Sequence, residues 1–69
     1  MKSKMVYVDG IHCQHCKDDI FDVLMTLNEV DFVEFKEGYI EIILNDDLDD
    51  SIINEIIENC GNYKVIKVE

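Results

Sequence analysis

Met5-Val6-Tyr7-Val8-Asp9-Gly10-Ile11-His12-Cys13-Gln14-His15-Cys16-Lys17 is the stretch from which the rest of the chain can be read. Val6 and Val8 alternate with Met5, Tyr7 and Asp9, the period of a half-buried strand over residues 4–9. Gly10 ends that strand, and Ile11 is expected to tuck under the loop that follows. From Gln14 to Leu27 the positions Cys16, Ile20, Val23, Leu24 and Leu27 recur at helical spacing, with Phe21 and Met25 widening the stripe. Cys13 and Cys16 therefore fall at the loop end and in the first helical turn, where both sulfurs can face one spot. The unpaired N–H groups and partial positive charge of a helix N-terminus favour thiolate over thiol there. Asp18, Asp19 and Asp22 lie in the first half of the helix, where carboxylates suit the same dipole.

Downstream, Asn28-Glu29 ends the helix, and Val30, Val33 and Phe35 begin a second strand. Lys36-Glu37-Gly38 has the length and the glycine of a tight hairpin. Tyr39-Ile40-Glu41-Ile42-Ile43-Leu44 returns with Ile40, Ile42 and Leu44 on one face, and the segment from Asn45 to Asp50 is polar and turn-like. Asp49, Asp50 or Ser51 is the expected N-cap of a second helix, with Glu55 closing a capping box. That helix carries Ile52, Ile53, Ile56, Ile57 and Cys60 on one face, and Gly61 stops it. Tyr63 to Val68 is the last strand. The order is βαββαβ, an α+β chain whose two helices bury their stripes on one face of a four-stranded antiparallel sheet. This is the split-βαβ, or ferredoxin-like, arrangement.

The chain has 69 residues, enough for one small domain over 1–69. A domain of this size buries only about 60% of its unfolded surface, so its margin of stability is thin. Its 48% apolar content suffices for a core. The net charge of −10, from 16 acidic and 6 basic residues, argues against nucleic acid and anionic membrane surfaces. A basic protein partner fits that field. No apolar run approaches the ~18–20 residues of a membrane span. The first residues lead into a strand without a hydrophobic signal region, so a cytoplasmic location with reduced thiols is expected. Three cysteines, an odd number, also fit a secreted disulfide framework poorly.

A C-x-x-C pair at a strand-to-helix junction suits a thiol oxidoreductase or a soft metal ion. The chain has no proline to stand beside a redox disulfide, and the βαββαβ order does not suit a thioredoxin-like fold. Haem attachment needs a histidine after the second cysteine, where Lys17 stands. A closed zinc site needs a second ligand pair, and only scattered His12, His15, Cys60 and acids are available. Soft-metal binding is favoured: two thiolates suit Cu(I), and would also take Zn(II), Cd(II) or Hg(II). A small thiol oxidoreductase stays as the alternative from another class.

The segment Gly10-Ile11-His12-Cys13-Gln14-His15-Cys16 resembles the strand–G-M-x-C-x-x-C–helix pattern of the heavy-metal-associated domain, found in bacterial copper chaperones and at the N-termini of metal-transporting P-type ATPases. The resemblance continues through Ile20, Leu24, Leu27, Val30, Val33, Phe35, Gly38 and the run Ile56 to Gly61 before Tyr63. It implies a ferredoxin-like fold, Cys13 and Cys16 as metal ligands, and a metallochaperone without enzymatic activity. The expected cargo is Cu(I). The expected partner is the C-x-x-C domain of a P-type ATPase or a metal-responsive regulator, reached by thiolate exchange. Ile11 replaces the family's methionine at a packing position. His12 stands where zinc- and cadmium-transporting relatives place an acidic third ligand, and Cys60 lies where the second helix approaches the metal loop, so both are candidate third ligands. Tyr63 resembles a tyrosine held over the metal loop in some bacterial relatives, with Asn62 as an added residue before it. The protein is expected to be monomeric without metal and able to share copper in a metal-bridged homodimer.

Overall fold

The computed structural model describes residues 2–11 and 14–69. Its elements are β1 Lys2–Asp9, α1 Gln14–Met25, β2 Val30–Lys36, β3 Tyr39–Leu44, α2 Asp50–Cys60 and β4 Lys64–Val68. The strands form one antiparallel sheet in the order β2-β3-β1-β4. This is the ferredoxin-like architecture expected from the apolar periods. Register follows from the same alternation: Val6 pairs with Ile40 and Val68, and Val33 with Ile42. A slip of one residue would turn that whole set to solvent. Val6, Val33, Ile40, Ile42 and Leu44 are buried against Ile20 and Leu24 of α1 and Ile53 and Ile57 of α2. Each such side chain contributes about 1.5–3 kcal/mol when removed from water.

Several boundaries differ from the sequence expectation, for local reasons. β1 starts at Lys2 because its pairing with β3 runs on to Leu44, and because Lys2 and Lys4 are tied to Asp47 and Asp50. Lys4 Nζ also donates to the Leu48 carbonyl at 2.9 Å. α1 stops at Met25, short of Leu27: the Thr26 hydroxyl donates to the Val23 carbonyl at 2.6 Å, and the N–H groups of Thr26 and Leu27 bond three residues back. Such short bonds tighten a helix end. Asp49 is the N-cap of α2, its carboxylate accepting the Ser51 N–H at 3.2 Å. The third helical residue is then Ile52, so Glu55 does not stand at the capping-box position. Ile52 is 41% exposed, off the buried stripe on which its helical spacing places it. Leu48, within the polar turn, is a core residue instead.

Three connections gather at one end of the sheet. The β2–β3 hairpin turns at Glu37-Gly38, with Gly38 at φ +92°. Gly10, following β1, has φ +101°, and a Cβ there would lie 2.7 Å from the Asn62 carbonyl oxygen. A side chain at position 10 is thus excluded twice, and the α2–β4 connection lies directly on the start of the β1–α1 connection. In β4 the pairing with β1 shifts between Tyr7 and Val8, which leaves Ile66 outside the ladder and 64% exposed.

Candidate metal centre

The two ligand candidates His12 and Cys13 lie outside the described residues, as does Met1. The other cysteine of the pair, Cys16, is the third residue of α1 and half-buried, in the first turn as its spacing required. His15, between the cysteines, is exposed. No acidic residue occupies that first turn. Asp18 lies one turn on, where its carboxylate accepts from Gln14 Nε2 at 3.1 Å. The expected benefit of Asp18, Asp19 and Asp22 to the dipole is therefore weak, since the effect fades beyond the first turn.

Tyr63 closes over Cys16. Its hydroxyl donates to the Cys16 sulfur, and its pKa is pushed up to about 12 by that bond first, then by burial and by the nearby Cys16, Cys60 and Asp19. The same ring packs on the apolar core, so anchoring and contact with the thiol are two ends of one side chain. Cys60 is the last residue of α2, half-buried and packed against the core. Burial pushes its thiol up, with smaller contributions from Asp19 and Cys16. Helix periodicity places Cys60 on the core stripe, where it packs. The fold adds that this end of the stripe faces Cys16.

Gly61 fits this site for a reason unrelated to helix stopping. Its φ of 175° is ordinary extended backbone, but a Cβ there would lie 2.8 Å from the Tyr63 ring. Position 61 must be bare for the ring to lie where it does. That constraint joins residues two apart across a turn, and the only sequence signal for it was the glycine itself. Asn62, the added residue, supplies the carbonyl that meets Gly10.

Lys17 is turned to the other side of the helix start. It is half-buried and lines a cavity of about 230 Å³ with Val8, Ile11, Phe35, Lys36 and Tyr39, beneath the hairpin. Ile11 packs against the core, as expected of a residue under the loop. Among the described residues alone, no three His, Cys, Asp or Glu side chains cluster as a complete metal site. The described residues bring together a thiol at a helix N-terminus, a phenol donating to it, and the second thiol of Cys60. The two sulfurs are soft donors and suit a thiophilic ion. No helix among the described residues is long and apolar enough to cross a membrane.

Comparison with known proteins agrees on the fold. The CopZ metallochaperone superposes with a TM-score of 0.84 at 24% identity, covering 94% of this chain and all (100%) of that one. The yeast copper transporter domain CCC2A, solved in apo and Cu(I)-loaded states, gives 0.82 at 21% identity over 97% of each chain. A copper-binding domain of HMA7, a P-type ATPase, gives 0.79 at 23% identity over 100% of this chain and 99% of that one. No curated protein sequence is similar enough to this chain to count as a relative. The family model described as the heavy-metal-associated domain matches residues 5–63, from the first strand to the tyrosine over Cys16. A match spanning most of the chain on this architecture makes it a member of the heavy-metal-associated domain family, a metal-binding domain by that membership.

Proposed function

We propose that the protein is a soluble metallochaperone that carries Cu(I) on Cys13 and Cys16 and releases it to a partner by thiolate exchange. The observation that carries this reading is Cys16, in the first turn of α1 beneath the Tyr63 hydroxyl. A helix N-terminus favours thiolate, and a phenol donor further stabilises negative charge on sulfur without blocking a second ligand. Two sulfurs satisfy Cu(I) but leave it open to attack by a third. An incoming thiolate can then bond to the ion before either original bond breaks. The C-x-x-C domain of a P-type ATPase is the expected recipient, with a metal-responsive regulator as the other. The structural relatives described as copper-binding or as a metallochaperone support the same cargo.

The charge of −10 calls for a recipient with a basic docking face. Transfer should then slow as ionic strength rises, because exposed charges are screened beyond about 10 Å at 0.1 M salt. Transfer kinetics that ignore salt between low and high ionic strength would remove the steering argument.

A second reading is favoured by one observation, the presence of Cys60 beside Cys16. With Cys60 or His12 as a third ligand the site would suit Zn(II) or Cd(II). Competition titration of the reduced protein with Cu(I) and Zn(II), repeated on His12→Ala and Cys60→Ala, separates the two. Tight Cu(I) binding that survives both substitutions supports the copper carrier. Zn(II) binding that collapses with either substitution would reassign the protein to zinc or cadmium traffic.

A further inference from the structure

The last residue of α2, Cys60, and the last residue of the α2–β4 connection, Tyr63, are the two groups that approach Cys16 from across the fold. Glu58 lies in the last turn of α2, exposed, at the end of the helix where the dipole disfavours a carboxylate. Helix physics alone gives no reason for an acid there, and no basic residue in that turn offsets it. Its partner lies in the next strand: Glu58 Oε2 accepts the Val65 N–H at 3.2 Å. β4 is an edge strand, and Val65 stands next to the bulge at Ile66, where the ladder with β1 loses its regular register. The bond therefore secures the strand where sheet pairing is weakest.

We propose that Glu58 is a positioning residue for the thiol site, closing the Cys60–Lys64 loop with its bond to Val65 and so holding the Tyr63 ring over Cys16. The loop so closed is bare at Gly61 where the ring passes, and rests on Gly10 through the Asn62 carbonyl. Gly10 and Gly61 remove obstacles to the arrangement, whereas Glu58 supplies an attraction. Its importance for metal traffic rests on the thiol-site reading above; the positioning itself does not.

The test is therefore made on the reduced, metal-free 69-residue chain. Alkylation of Cys16 by iodoacetamide is followed by peptide mass spectrometry, which separates it from Cys13 and Cys60. Glu58→Ala should accelerate Cys16 alkylation about 3- to 10-fold, the range carried by one ordinary hydrogen bond. Glu58→Gln keeps an acceptor oxygen and should retain the wild-type rate. In a Tyr63→Ala background, where Cys16 is already uncovered, Glu58→Ala should add nothing. An unchanged rate in Glu58→Ala would overturn the proposal. So would equal acceleration by Gln and Ala, which would assign the effect to lost charge, or full acceleration in the Tyr63→Ala background. Acceleration that follows the proposed pattern in a protein that binds no Cu(I) would leave the clamp standing and remove the chaperone reading instead.

Discussion

The two helices begin in opposite ways. α2 starts with Asp49 accepting the Ser51 N–H, and with Asp50 in its first turn, so its N-terminal partial charge is answered by carboxylates. The first turn of α1 holds no acid, and its third residue is Cys16. One N-terminus is thus capped for stability. The first turn of the other, Gln14 to Lys17, carries a thiol in place of a carboxylate. The same backbone physics stabilises the fold at one end of the molecule and, on the proposed function, would favour a metal-binding thiolate at the other.

The sharpest way to break this contrast is Cys16→Ser. Cu(I) affinity should fall by more than about 100-fold, beyond the 10–100-fold typical of outer-shell partners. The melting temperature should barely move, because serine is close in size and keeps an acceptor for Tyr63. A large loss of stability with affinity retained would reverse the assignment of this helix start.

Gly10→Ala attacks the loop that leads into the same helix. Its φ of +101° and the 2.7 Å approach to the Asn62 carbonyl both exclude a side chain. Left-handed strain alone should cost about 1–3 kcal/mol in urea unfolding, and metal affinity should fall with it. Asp49→Ala tests the other helix start. It should lower stability by about 1 kcal/mol and leave Cu(I) affinity unchanged.

The smallest effect concerns Cys60. Burial, with Asp19 and Cys16 nearby, holds its thiol above the ordinary range, so the protonated form is favoured by folding. The stability linked to that proton is fully present below the ordinary thiol pKa of about 8.5 and is lost as pH rises through the raised value. Alkylation of Cys60 should accordingly show a midpoint above that of the same cysteine in the urea-unfolded chain. A lower midpoint would mean that Cys60 is held as a thiolate, and would favour the three-ligand reading.

Much of the fold was legible because each element carries one clean period. Val6, Ile40, Ile42 and Leu44 alternate, Ile20 and Leu24 repeat at helical spacing, and every one of these is buried. The errors fell where the controlling contact is not local. Ile52 sits at the N-terminal edge of the α2 stripe, where the helix turns out to solvent, while Leu48 reaches the core from a run of aspartates. The candidate site was legible as a motif but not as an environment. Cys16 could be placed in the first turn from spacing, yet its contact with Tyr63 spans 47 positions. The bare position at Gly61 and the Glu58–Val65 bond depend on how α2 meets an edge strand, which no periodicity encodes.

Whether sulfur at the start of α1 holds the metal can be read from X-ray absorption at the copper edge of the Cu(I)-loaded protein. The expected result is a shell of two or three sulfur atoms without nitrogen or oxygen, altered by Cys16→Ser and unaffected by Asp49→Ala. A shell dominated by nitrogen or oxygen, or one that survives Cys16→Ser unchanged, would contradict it.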